Sequence, residues 1–325
     1  MSFEACSGAK GVLMRTMGRG LGLAVAGSLC LAGVAAAGEA RTVVEFDPAM
    51  GEFAEGVTAA RHGEAYAGLS ALGRVVEVAT DGSVSDVLRL ELSEGDFGLT
   101  GLAIDPGYGW LYAAVNSSDP ALHGVLAFNR VTAEESAAAD RHHVDGTEAM
   151  SMPNAITFGP DDAESVMFIT DSAAGAVWRS EWRPWEGWLA AEPWVADPLL
   201  EGTGELPFPV PVGANGIATR DGVVYVGVTE QGHIVGIPIE ADGSAGEPFV
   251  HHALDGVAID GIAITGDGEF LVAVPPASTV WIVGQDGVPK VLADETDGIS
   301  GPTSVYVGSG SDGETVYVAN MAQAV

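Results

Sequence analysis

The apolar positions of this chain fall in short runs dominated by Val and Ala, separated by turns in which Gly recurs. That texture predicts many short strands joined by tight turns, an all-β chain. The stretch at 213–228, GANGIATRDGVVYVGV, shows the unit. A polar residue, Asn215, and a small residue precede an aliphatic run; a tight turn and a second aliphatic run follow. Taken alone, Asn-Gly ahead of a strand is a turn dipeptide.

The same order recurs along the chain. Copies open at Glu55, Thr100, Asn154, Asn215, Asp260 and Thr303, spaced 43 to 61 residues apart. Most continue into a third apolar run, as in GRVVEVATDG at 73–82, HGVLAFN at 123–129 and STVWIVGQDG at 278–287. A repeat of this length, built of short strands, predicts a six-bladed β-propeller with four-stranded antiparallel blades. A β-sandwich also has many short strands but carries no such period. The last copy ends at Val325 with little left for an outer strand, and RTVVEFD at 41–47 is the right size to supply it. The ring is therefore expected to be closed by an N-terminal strand, which also removes an exposed edge. The longest interval contains an insertion, 181–212, with Trp182, Trp185, Trp188 and Trp194, expected to pack on the outside.

Composition changes this picture at the N-terminus. Arg15 and Arg19 precede the apolar run LGLAVAGSLCLAGV, followed by small residues at Ala35 and Ala37. This is the order of a secretory signal peptide, expected to span 1–37 and leave one propeller domain over 38–325. The run is short for a membrane span. The expected location is secreted or periplasmic, with no stable membrane insertion once the leader is removed. Both cysteines, Cys6 and Cys30, lie in the leader, so the remainder has no thiol chemistry. The whole chain has 45 acidic and 13 basic residues, a net charge of −32. Such a surface disfavours nucleic acid and anionic membranes and favours cations.

In a propeller the first strand of each blade runs beside the central channel, so the six opening residues should form a ring. All six carry a side-chain oxygen; two are carboxylates and two are amides. Carboxylates converging on an axis repel unless a cation lies between them. Hard oxygen donors without Cys or His suit Ca2+, with Mg2+ or Mn2+ as alternatives.

The segments AEG at 54–56, PNAITF at 153–158, FITDS at 168–172, GANGIA at 213–218 and IDGIAI at 259–264 carry a resemblance. In their order and spacing they resemble the calcium-dependent six-bladed propellers of the SMP-30/gluconolactonase group, related to paraoxonases and strictosidine synthase-like proteins. The resemblance implies a metal held by Glu55, Asn215 and Asp260, with Asn154 beside it. It implies a secreted hydrolase that opens a lactone or other small-molecule ester. Asn154, which is also a candidate metal ligand, Asp171, Thr100, Thr303 and Glu230 become candidate substrate contacts. Gluconolactonases place an Arg two residues before the first Asn; here that position is Met152.

Hydrolysis needs a base. The resemblance points to Asp260. His123, in a loop expected on the same face, and His252, in the loop expected ahead of Asp260, are alternatives. No G-x-S-x-G nucleophile motif is present. Two rival readings use the same scaffold. One is a non-catalytic ligand- or protein-binding propeller in which the ion is structural. The other is strictosidine synthase-like chemistry, for which Glu230 is the candidate acid.

Overall fold

The computed structural model describes residues 12–16, 40–61, 63–107, 109–129, 141–159, 166–254, 256–308 and 315–321. Their strands form six antiparallel sheets. Five sheets have four strands. The third in chain order has five, because Gly187–Trp188 and Glu192–Ala196 both pair with the long strand Ala176–Arg183. In four of the sheets successive strands are neighbours throughout, so each is a meander running outwards from its first strand. The six first strands are Ala54–Ala59, Gly98–Ile104, Pro153–Phe158, Ala214–Arg220, Ile262–Ile264 and Pro302–Val307. They stand side by side, and the sixth returns to the first. This closed circuit is the expected six-bladed propeller, with the first strands innermost.

The sixth blade is completed from the N-terminus. Pro302–Val307 pairs with Thr315–Asn320, which pairs with Val12–Thr16, and that strand pairs with Arg41–Thr42. The segment expected to close the ring does so only over Arg41–Thr42. A further strand, from within the span read as a leader, stands between it and the rest of the blade.

The apolar runs are buried between blades. Leu99, Leu102 and Leu111 pack with Val75 and Leu88 between blades one and two. Ile217, Val224 and Val226 pack with Phe168 and Val177 between blades three and four. The Trp-rich excursion straps blade three to both neighbours. Trp188 Nε1 donates to Tyr112 OH of blade two (2.8 Å), and Trp194 Nε1 to the Gly243 carbonyl of blade four (2.9 Å). Trp185 stands fully exposed at the hairpin tip. Among the described residues no helix is long and apolar enough to cross a membrane.

Two features of the inner strands create the channel end. First, the pairing of five inner strands slips around the opening residue: between Ala54 and Val57, Leu99 and Leu102, Pro153 and Ile156, Ala214 and Ile217, and Pro302 and Ser304. Such a bulge re-aims a side chain that regular pleating would bury between blades. In blade five Asp260 lies just ahead of its strand, tied by Asp260 N–H to the Ala273 carbonyl (3.0 Å). Second, the small residue after each opening residue lets neighbouring strands touch. A Cβ on Gly56 would come within 2.2 Å of the Thr100 carbonyl oxygen, on Gly101 within 2.3 Å of the Asn154 carbonyl oxygen, and on Gly216 within 2.4 Å of the Ile262 nitrogen. No side chain fits there, because the obstructing atoms are backbone.

Candidate metal centre

The polar, small, aliphatic triplet is therefore a construction rule. The small residue draws six strands together, the aliphatic one enters the core between blades, and the polar one is left at the axis. Glu55, Thr100, Asn154, Asn215, Asp260 and Thr303 all line one cavity of about 20 Å³, the space of a single water or ion. Behind it the channel widens to about 310 Å³ between the six inner strands.

The six do not play equal parts. Thr100 Oγ1 donates to the Pro153 carbonyl (2.9 Å) and Thr303 Oγ1 to the Glu55 carbonyl (2.9 Å). These threonines stitch adjacent blades, which competes with the substrate-contact role expected of them. The amides are oriented from behind. Asn154 Nδ2 donates to Ser172 Oγ (3.0 Å), leaving Oδ1 for the cavity. Asn215 Nδ2 donates to Thr229 Oγ1 (3.0 Å), and the same amide bonds the Asp260 carboxylate. Ser172 Oγ passes the contact on to the Ala214 carbonyl (2.6 Å).

Electrostatically the site is unbalanced. Glu55 is buried, and its Oε2 has no hydrogen-bond partner. Burial pushes its carboxyl up to about 7, against the pull of a Thr303 hydrogen bond. Asp260 is raised well above the usual carboxylate range, first by burial, then by the charge of Glu55, with the Asn215 hydrogen bond opposing. Two facing acids without a cation cannot both ionise cheaply. A divalent cation among them would satisfy the orphaned Oε2 and restore both charges. Among the described residues no three His, Cys, Asp or Glu side chains cluster as a metal-binding group. The donor set is thus two carboxylates and neutral oxygens, which fits calcium better than zinc.

Other expected residues lie elsewhere. Asp171 is buried, but its carboxylate accepts the N–H groups of Ser151 (2.7 Å), Met152 (2.8 Å) and Ala174 (3.2 Å), and it holds that loop. His123 stands at the ring end, yet both nitrogens are engaged: Nδ1 with Ser117 N–H (3.3 Å) and Nε2 with the Met150 carbonyl (2.8 Å). His252 is not in a loop. It lies in the strand Phe249–Ala253, the outermost of blade four, against His251 and Phe270. Three strand spacings, about 14 Å, separate that strand from the inner one. Glu230 is committed to a loop through Thr203 Oγ1 (3.2 Å), Gly204 N–H and Val212 N–H (3.3 Å).

The residues that sequence reasoning missed are Ser172 and Thr229, which aim the two amides. Their signal was present: each is a hydroxyl residue directly after a second strand, Val166–Asp171 and Val223–Val228.

The comparison with solved structures agrees with this architecture. A gluconolactonase from Xanthomonas campestris superposes with a TM-score of 0.59 at 14% identity, over 83% of this chain and 86% of that one. The chain shares the fold of gluconolactonase-like propellers. A structural-genomics protein with a provisional gluconolactonase assignment gives 0.57 at 15% identity, over 83% and 88%. A virginiamycin B lyase from Staphylococcus aureus gives 0.51 at 12% identity, over 87% and 85%. No family model and no curated protein matches the chain. At such identities the likeness concerns fold, and one fold carries several chemistries.

Proposed function

We propose that the protein is a secreted, calcium-dependent hydrolase of a lactone or other small-molecule ester, acting at the ring end of the channel. The observation that carries this reading is the buried Glu55–Asp260 pair, with Oε2 of Glu55 unpartnered in a cavity of single-ion size. Glu55, Asn154, Asn215 and Asp260 are the residues that would hold the ion. When bound, calcium would polarise the ester carbonyl and stabilise negative charge on its oxygen. Asp260 is the only one of the three expected bases at the cavity. In this reading it takes the proton of the attacking water and returns it to the leaving oxygen, giving an acid and an alcohol. Fold likeness to gluconolactonases supports the hydrolase class, and Met152 in place of the Arg argues against a sugar-acid grip.

Exhaustive chelation should abolish turnover on a panel of lactones and aryl esters, and calcium should restore it. Undiminished turnover after chelation would refute the metal reading. One observation favours a second reading, a binding propeller pinned by a structural ion. No His, Lys or Arg lines the cavity to share the proton work. It predicts a calcium-dependent rise in melting temperature without turnover. Nothing comparable favours the strictosidine synthase-like alternative, because the Glu230 carboxylate is occupied.

A further inference from the structure

Most exposed large apolar side chains of a soluble domain are scattered, and a group gathered around one opening is informative. Four gather at the ring end here: Met50 (68% exposed), Phe97 (47%), Phe208 (53%) and Val210 (42%). Each lies on a connection that leads into an inner strand, ahead of Glu55, Thr100 and Asn215 respectively. Blades one and four face each other across a six-bladed ring, so Met50 and the Phe208–Val210 pair stand on opposite banks of the mouth. Phe97 is fixed beside blade one, its carbonyl accepting from Ser70 Oγ (2.9 Å).

The blade-four bank is built rather than loose. Its sequence, LPFPVP at 206–211, alternates proline with apolar residues, which stiffens an extended chain. Its base is held by the Glu230 carboxylate and by Gln231 Nε2, which donates to the carbonyls of Pro198 (2.9 Å) and Glu201 (2.8 Å). A held loop that keeps Phe208 in water has been shaped for contact.

Charge narrows what makes that contact. The three connections, 43–53, 90–97 and 197–213, contain nine Asp or Glu and no Lys or Arg. The guanidinium groups bordering them, Arg74 and Arg89, are both bonded to Asp86, and Arg74 also to Glu52 (3.1 Å). An anionic substrate meets a surplus of like charge along these connections. The carboxylate product of a neutral ester meets the same repulsion and is expelled.

Resting on the hydrolase reading above, we infer that the ring face selects uncharged esters bearing an apolar acyl group, gripped between Met50 and Phe97 on one bank and Phe208 and Val210 on the other. The test compares p-nitrophenyl acetate, p-nitrophenyl octanoate and the anionic mono-p-nitrophenyl ester of suberic acid, with calcium present. Octanoate should exceed both others in kcat/KM by about tenfold, as burial of several methylenes implies. The gap to the anionic ester should narrow in about 0.5 M salt, where exposed charges are screened. Phe208→Ser with Val210→Ser should bring octanoate down to the acetate rate. Trp185→Ser, an exposed aromatic at the opposite end, should change neither. Equal rates for octanoate and acetate, or for octanoate and its anionic counterpart at low salt, would overturn the inference while the hydrolase reading stands. Binding of the neutral dye Nile red, followed by fluorescence, separates the two ideas. Saturable binding lost in the double variant supports the apolar grip even if no ester is cleaved. Binding that ignores those residues overturns it.

Discussion

Two buried acids of this propeller, Asp171 and Glu55, meet opposite surroundings. Asp171, closing the second strand of blade three, accepts three backbone N–H groups and is satisfied in full. Glu55, at the start of the innermost strand of blade one, is buried too, yet Oε2 has no donor and Asp260 adds a repulsive partner. A carboxylate given donors is a fastener. A carboxylate denied donors and set opposite another is a place for a cation. Residue type alone does not separate them; their surroundings do.

Removing each acid in turn breaks the comparison most strongly. Asp260→Ala should cost about a hundredfold or more in kcat, of the order lost with an electrostatic group at a reaction centre. It should also erase the calcium-dependent rise in melting temperature. Asp171→Ala should do the reverse: lower stability by about 3 kcal/mol, since three N–H groups lose their acceptor, and keep the calcium response. Melting curves with and without calcium for both variants decide it. A normal calcium response in Asp260→Ala would show that the ring is no metal site.

The next test leaves every ligand in place and disturbs only their convergence. Gly216→Ala puts a Cβ against the backbone nitrogen of Ile262 and, at 2.7 Å, the carbonyl oxygen of Asp260. Overpacking against backbone should cost about 1–3 kcal/mol and weaken calcium binding, because Asn215 and Asp260 are pushed apart. Gly266→Ala is the control: nothing lies within 4 Å of its Cβ and its φ is ordinary. That change should be neutral or slightly stabilising through the unfolded chain. Equal effects at the two glycines would sink the claim that small residues set the ring.

How far the sequence alone reaches follows from the same physics. The blade period and the six opening residues were readable, because a polar, small, aliphatic triplet must recur wherever six strands meet an axis. The closure of blade six was only partly readable. Residues 41–47 had the right length and place, but the pairing of Val12–Thr16 with Thr315–Asn320 depends on a partner far along the chain. His252 was misplaced because HHA reads equally as loop or edge strand; its assignment to Phe249–Ala253 comes from pairing with His233–Pro238. Asp171 and Thr100 sat close to the right place in sequence. Which atoms their oxygens would meet was a tertiary fact, and in both cases the answer was backbone.

A change of pH sharpens the contrast without mutation. Glu55 has its folded value raised to about 7, from an ordinary 4.5, and Asp260 moves the same way. Between those values the folded metal-free protein holds protons that the unfolded chain has released. Its stability must therefore fall as pH rises from about 4.5 towards 7. Asp96 runs opposite: bonds from Ser117 Oγ and Ser118 N–H lower it to about 2, so its contribution is lost only in stronger acid. Calcium should remove the fall, since the ion replaces the protons. Melting temperatures at a series of pH values, in chelator and in calcium, read both slopes. A flat profile in chelator would mean that the two ring acids are better solvated than their burial implies.

The smallest expected effect concerns the Trp-rich strap, which the sequence led us to expect as outer packing. Trp188 and Trp194 each spend their indole N–H on a neighbouring blade, so their role is mechanical. Trp188→Phe keeps most of the apolar contact with Tyr112 and Phe158 but deletes the bond to Tyr112 OH. It should cost about 1 kcal/mol, the net worth of one such bond. Tyr112, whose phenol burial holds well above its ordinary value, should become harder still to ionise, because the Trp188 bond that opposes burial is gone. Calcium affinity and turnover should not move, because Trp188 meets Tyr112 and Phe158 at the end of the strands away from the ring. A Trp188→Phe variant with altered calcium affinity would show that blade position is transmitted to the axis, and that the propeller is a less rigid frame than its closed ring implies.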